Sequence, residues 1–478
     1  METSKRGQWG SSFGFLMASI GSAIGLGNLW GFPYKMGKTG GFAFLIIYLI
    51  LVALVGMVLM LGEFALGRKT GKGAGAYTAL SKKYSFIGWM AVISPFLILS
   101  FYAVLGGMVL RYCLGFLVQI IGIDGFAGQG SDFFSWLLYS DSSMLLFLAL
   151  FMVCTMVIVM GGIKGGIEKF SKAVMPALGV ILIILIVFIA MQPGAIEGYK
   201  FMFKPDFSLF STPGDFFNVL KVASGQMFFS LSVAMGINIT FGSYLDKKKS
   251  LQKNATIVPL FDTLFAVLAG MMIMPACAAF GVDYGQGPGL LFASMQKVVL
   301  DGMGGTAGNV MGFLFYFLVF IAAVTSSIAL LEVLTANVVD RQLDKGKEPK
   351  RKKVSLIFAI LVFAIGIPVA LDALGSGGAT VKAPYELLGL TTDSPGFAMW
   401  NDCWLDFYDM ITEGILMPLG ALFMSILLGW ILPKLVKNEC EESGHPFKGY
   451  KYFNFCFRII IPVVMVIVLW TQIQSFFF

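Results

Sequence analysis

The residues of this chain best placed to do chemistry are uncharged and oxygen-bearing, and they sit where apolar helix should run unbroken. Gly21-Ser-Ala-Ile-Gly-Leu-Gly-Asn28 interrupts the first hydrophobic stretch, and Phe228-Phe-Ser-Leu-Ser-Val-Ala-Met-Gly-Ile-Asn238 interrupts the sixth. Glycine costs a helix about 1 kcal/mol per site relative to alanine, and unpaired backbone in lipid costs more. Small residues also allow close helix crossings, which accounts for Gly40-Gly41 and Gly106-Gly107. That does not account for Gly21, Gly25, Gly27 and Asn28, which circle the helix instead of forming one stripe. Irregular backbone at membrane depth is tolerable when something polar fills the gap. Freed carbonyls then face cations, and half-helix N-termini face a carboxylate. A third group, Ala322, Thr325 and Ser326, is spaced i, i+3, i+4 and shares one helix face. Such hydroxyls commonly bond back to their own helix. Taken alone these three read the same way; as hard oxygens without a charged residue they would also suit a weakly bound monovalent cation.

These groups need a scaffold that holds two broken helices side by side. Of the 478 residues, 57% are hydrophobic and 13% charged, about half the charged share of an ordinary soluble domain. Stretches 42–61, 144–160, 175–191 and 354–371 are each long enough, or nearly so, to cross a bilayer at ~1.5 Å per residue. The pattern predicts an all-α polytopic membrane protein of about eleven helices, near residues 11–35, 42–67, 87–120, 143–161, 168–191, 215–243, 253–281, 308–340, 354–372, 403–432 and 454–475. We expect one transporter domain over 1–478, with a first inverted repeat at 11–191, a second at 215–432 and an extra C-terminal helix at 454–475. Interrupted helices 1 and 6 then hold equivalent places in a 5+5 fold, which puts a site at the midplane. The symmetry comes from topology alone, since no repeat shows in residue identity.

The net charge of +7 is a matter of placement. Most lysines and arginines fall in alternate loops, chiefly Asp246-Lys-Lys-Lys249 and 345–353. That asymmetry puts the N-terminus in the cytoplasm and, after eleven spans, the C-terminus outside. It argues for a lipid bilayer and against nucleic acid as partner. No cleavable signal peptide precedes the first span. Cys113, Cys154, Cys277, Cys403, Cys440 and Cys456 lack metal-ligand spacing or a disulfide pattern, and His445, the only histidine, is expected to be solvated.

Arg6-Gly-Gln-Trp9 and Gly21-Ser-Ala-Ile-Gly-Leu-Gly-Asn-Leu-Trp-Gly-Phe-Pro-Tyr34 together resemble the first helix of the neurotransmitter:sodium symporter family. Gly62-Glu-Phe-Ala-Leu-Gly-Arg68, Gly225-Gln-Met-Phe-Phe-Ser-Leu-Ser232, Thr325-Ser-Ser-Ile-Ala329 and Leu416-Met-Pro-Leu-Gly420 resemble it in the same order. The likeness is nearest to the bacterial amino-acid transporter branch. It implies two co-transported sodium ions, Na+ being the only cofactor. The first would be held by the Ala23 carbonyl, Asn28, Ser230 and Asp262, with the substrate carboxylate. The second would be held by the carbonyls of Gly21, Ile24 and Ala322 with the hydroxyls of Thr325 and Ser326. The amides of Leu26 and Gly27 and the Tyr102 hydroxyl would hold the substrate carboxylate. Carbonyls of Ala23, Phe229 and Ser230, with the Ser232 hydroxyl, would hold its ammonium. Ile98, Tyr102, Phe229, Ala234, Met235, Ser326 and Leu330 would wall its side chain. Gly25 stands where monoamine carriers have an aspartate, which implies a substrate with its own carboxylate.

The expected function is therefore sodium-coupled import of a neutral hydrophobic or aromatic L-amino acid, by a monomer or weak homodimer in a bacterial inner membrane. Three departures bear on details. Gly31 stands where the family has its outer-gate arginine, although the facing acid is present as Asp409. Ala234 replaces a glycine, adding a methyl to the expected pocket floor. Asp262 replaces an asparagine. The inner-gate set is Arg6, Trp9, Tyr244 and Asp340. Tyr48, Gln226 and Ser230 match the chloride ligands of the family, but Ala266 stands in place of a serine, so chloride independence is expected. An intramembrane enzyme would need a histidine, paired aspartates or a Ser-Lys dyad, and none is placed for it. A transport-inactive sensor of the same fold and a proton-coupled carrier remain alternatives.

Overall fold

A computed structural model describes residues 7–126, 128, 130–285, 287, 289–376, 378–387, 403–442, 444 and 446–477. Arg6 and His445 lie outside these residues. The first span is split into α1 (Ser12–Ala23) and α2 (Gly27–Lys38), bent by 46°. The Ser11 hydroxyl accepts from the Gly14 amide to start α1, and Ile24 leaves helical geometry at φ −73, ψ 109 to end it. There follow α3 (Phe42–Thr70), α4 (Lys82–Ile120), α5 (Asp141–Met160) and α6 (Ile163–Ala190). The sixth span is also split, into α7 (Pro213–Ser230) and α8 (Ile237–Ser243). Five long helices complete the chain: α9 (Leu251–Phe280), α10 (Gly305–Asp344), α11 (Arg351–Gly375), α12 (Trp404–Ile431) and α13 (Tyr450–Gln474).

Among the described residues, nine helices are long and apolar enough to cross a membrane, and ten if α1 and α2 count as one span. The eleven expected from sequence differ from this by the sixth. Its two pieces are each too short or too polar to pass alone, because the break consumes Leu231–Gly236 in mid-span.

The break between α7 and α8 is built. The chain enters α7 through a capping box between Thr212 and Asp215, with Pro213 in the first turn. Beyond Ser230 it turns left-handed at Ser232 (φ 52), Ala234 (φ 62) and Gly236 (φ 75). Non-glycine residues there cost about 1–2 kcal/mol each, so something must hold them. That is Glu63 on α3, fully buried. The Ala234 amide donates to Glu63 Oε1 at 3.0 Å and Asn238 Nδ2 to Oε2 at 3.1 Å. Asn238 Nδ2 also donates to the carbonyls of Leu231 (3.2 Å) and Ser232 (3.0 Å). One carboxylate and one amide thus satisfy the backbone that the break frees. Close packing fixes α8 against α3, for a Cβ on Gly67 would lie 1.9 Å from the Ile239 carbonyl. Long α10 runs alongside α4, and α13 lies against α7 and α12.

Candidate functional site

The two breaks face each other across a cavity of about 20 Å³, room for little more than one water. Glycine backbone in the first break lets its walls close. A Cβ on Gly25 would lie 2.3 Å from Ser326 Oγ and 2.6 Å from the Tyr102 hydroxyl, and one on Gly27 would lie 2.7 Å from the Phe229 ring. Of the expected substrate residues, Ala23, Gly27, Ile98, Tyr102, Phe229, Ser232, Met235, Ser326 and Leu330 line this cavity, joined by Ser22, Gly25 and Ile237. The Tyr102 and Phe229 rings lie 6.3 Å apart across its mouth.

Three expected substrate residues, Leu26, Ser230 and Ala234, are not among those that line it. The Leu26 amide donates to the Tyr102 hydroxyl at 3.0 Å, at the cavity's edge. Ser230 turns toward Asp262, its hydroxyl donating to Oδ2 at 2.7 Å. Ala234 does not put a methyl on the pocket floor: the left-handed turn carries its Cβ to within 3.8 Å of the Cβ position of Gly420 on α12.

Beside the cavity lies a cluster of polar groups from four helices. Asn28 Nδ2 donates to Asp262 Oδ1 at 2.8 Å and to Ser230 Oγ at 3.1 Å. Its Oδ1 accepts the Gly25 amide at 3.1 Å, and the Tyr48 hydroxyl donates to Ser230 Oγ at 3.3 Å. Asn28, Ser230, Asp262 and Tyr48 are all fully buried. Asp262 is held by an amide and a hydroxyl, and among the described residues no cationic side chain pairs with it. A buried carboxyl so placed is costly as an anion unless a cation pairs with it. Nearby, Gln226 Nε2 donates to the Gly27 carbonyl at 2.8 Å, its Oε1 has no partner, and Ala266 presents only a methyl.

A second cluster joins α10 to the first break. The Ile24 carbonyl accepts Ser326 Oγ at 3.3 Å and Thr325 Oγ1 at 3.5 Å. Thr325 also bonds back to the Ala322 carbonyl at 2.8 Å, and a Cβ on Gly21 would lie 3.4 Å from Thr325 Cβ. All five residues expected around a second sodium ion are therefore neighbours. Their oxygens are neutral, the donor set of a monovalent ion. Among the described residues no cluster of His, Cys, Asp and Glu could hold a metal otherwise.

At the face where α1 begins, Trp9 Nε1 donates to the Phe241 carbonyl at 3.1 Å, and its ring packs edge-on against Phe15, Phe241 and Tyr244. The Tyr244 hydroxyl donates to Glu332 Oε1 at 2.8 Å, Arg351 pairs with the same carboxylate, and Arg351 Nε donates to the Val159 carbonyl at 3.0 Å. Asp340 accepts the Gly73 amide at 2.9 Å. Sequence reasoning missed Glu332 and Arg351, although a glutamate within the apolar run of α10 was a signal. At the opposite face, Asp409 lines an opening of about 110 Å³ together with Trp30, Gly31, Lys35, Phe229 and Glu413. An ion pair crosses it at 2.7 Å, between Lys35 and Glu413. The cation at this face is Lys35, one helical turn beyond Gly31, and sequence reasoning missed it.

The family model described as "Sodium:neurotransmitter symporter family" matches residues 6–121 and 140–477. The chain is 33% identical over 474 residues to an uncharacterized sodium-dependent transporter, YhdH, of Bacillus subtilis (strain 168), covering 98% of each. It is 30% identical over 487 residues to an uncharacterized sodium-dependent transporter of Haemophilus influenzae, covering 97% of each. Among solved structures, it superposes on MhsT in complex with L-phenylalanine at a TM-score of 0.82 and 34% identity, covering 98% of this chain and 100% of that one.

Proposed function

The chain belongs to the sodium:neurotransmitter symporter family, and on that footing we propose that it imports a neutral hydrophobic or aromatic L-amino acid together with two sodium ions. It is a sodium-dependent, multi-pass membrane transporter and not an enzyme. The observation that carries the finer reading is the cavity between the two breaks, walled by Ile98, Phe229, Met235, Ile237 and Leu330 and free of charged side chains.

In this reading the substrate carboxylate sits at the N-terminus of α2, on the amides of Leu26 and Gly27 and the Tyr102 hydroxyl. Anions are favoured at a helix N-terminus. The ammonium faces the carbonyls of Ala23, Phe229 and Ser230. The first sodium ion is cargo that bridges the substrate carboxylate to Asn28, Ser230 and Asp262, which couples the two. The second joins Gly21, Ile24, Ala322, Thr325 and Ser326, tying the first break to α10. Gly25 leaves room for Tyr102 and Ser326 but none for a fixed carboxylate, so the substrate supplies that group itself. The MhsT structure, which holds L-phenylalanine in a chain 34% identical, supports an aromatic or large aliphatic side chain. The face where α1 begins is cytoplasmic and the Lys35 face extracellular, in the plasma membrane of a bacterium.

The test is binding of a panel of amino acids to the purified protein in sodium and in potassium chloride. Large neutral amino acids should bind in sodium only. Binding that ignores sodium, or a clear preference for a charged substrate, contradicts the proposal.

A further inference from the structure

We propose that Lys35 and Glu413 form the outer gate of this protein, an ion pair standing one helical turn from each of the positions, Gly31 and Asp409, where the family resemblance sets it. The inference rests on the import reading only in taking the Lys35 face as extracellular.

The pair joins residues 378 apart in the chain, from α2 and α12, at 2.7 Å. Gly27 and Phe229 line both the substrate cavity and the opening beyond it. They form the partition, and Lys35 and Glu413 line that opening, Lys35 about two turns of α2 beyond Gly27. The third wall is α7. A Cβ on Gly225 would lie 1.9 Å from Glu413 Oε1, so the carboxylate occupies space that any side chain at 225 would take. One bond thus draws α2 and α12 together over the glycine face of α7. These are the elements that must part to admit a substrate into a cavity of about 20 Å³.

The expected position on α2 does not serve. A Cβ on Gly31 would meet only Gln226, at 3.1 Å, so no cation reaches Asp409 from there. Among the described residues the ion pair in this opening goes to Glu413, one turn along α12. Exposure suits a contact that must form and break. The Lys35 and Glu413 side chains are 20% and 13% exposed, enough shielding to strengthen the attraction over that of a surface pair. Neither is buried so deeply that parting strands a charge without water.

The experiment uses the full chain reconstituted in liposomes with Phe101→Cys as reporter, since Phe101 is 3% exposed and lines the same opening. Labelling by a membrane-impermeant thiosulfonate is followed from outside in sodium. The six native cysteines, all buried or half-buried, set the background. Lys35→Gln and Glu413→Gln should each speed labelling about tenfold, the shift that loss of one partly buried pair makes in an open–closed equilibrium. The charge swap K35E/E413K should restore it to within about threefold, and Asp409→Asn should leave it unchanged. Single variants that label like the parent, or a swap as fast as the singles, overturn the inference. So does faster labelling in Asp409→Asn alone. Uptake by the parent protein is measured separately, so failure of the import reading is a distinct result.

Discussion

Asp262 is the residue on which the ion chemistry turns. It is fully buried among Asn28, Ser230 and Tyr48, and a carboxylate at membrane depth costs a few kcal/mol on insertion scales unless a cation offsets it. In the proposed reading it supplies the negative charge that two sodium ions on neutral oxygens would otherwise lack. Two outcomes follow: replacing chloride with gluconate leaves uptake unchanged, and Asp262→Asn cripples it. Loss of wild-type uptake in gluconate would mean that Tyr48 and Gln226 still bind the anion despite Ala266. Phe229 carries a second prediction. Its ring closes over the cavity beside Tyr102, and Phe229→Ala removes about 1.5–3 kcal/mol of apolar cover. Release of bound amino acid should speed about tenfold or more, while Asp409→Asn changes it little; the reverse order would put the gate on Asp409. At this scale the sequence was legible where a residue is costly in lipid, as at Asp262. Lys35 was not, because a lysine near a helix end reads as a topological charge, and only the fold brings Glu413 to it.

At the scale of elements, the break in the sixth span depends on a carboxylate borrowed from α3. Glu63 accepts from the Ala234 amide and from Asn238, and a buried donor left without its acceptor costs about 1–3 kcal/mol. Glu63→Ala should lower thermal stability in detergent markedly, and Glu63→Gln less, since it keeps one acceptor. A Glu63→Ala protein that melts with the parent would show that the break holds itself. The first break was legible because Gly21, Gly25, Gly27 and Asn28 circle the helix. The second was legible in place but not in form: a span read as 215–243 is two helices, Pro213–Ser230 and Ile237–Ser243. Serine and alanine give no local sign of left-handed backbone, and the residue that holds them there lies about 170 positions earlier, with Ala234 bonding Glu63 at a separation of 171. Ala234 shows the consequence. Its methyl was expected on the pocket floor and instead faces Gly420.

Among the described residues, contacts close over the cavity from two sides: Trp9, Tyr244 and Glu332 meet where α1 begins, and Lys35 pairs with Glu413 opposite. Between them lies a cavity of about 20 Å³. Such closure fits a carrier that opens one face at a time, and net flux is what separates a carrier from a sensor of the same fold. The most direct measurement is uptake of radiolabelled L-phenylalanine into proteoliposomes of the purified protein, with sodium or potassium outside and potassium inside. The account predicts accumulation above the external concentration that follows the inward sodium gradient and vanishes when that gradient is collapsed. Sodium-dependent binding without net accumulation, or accumulation driven by a proton gradient in the absence of sodium, would contradict it.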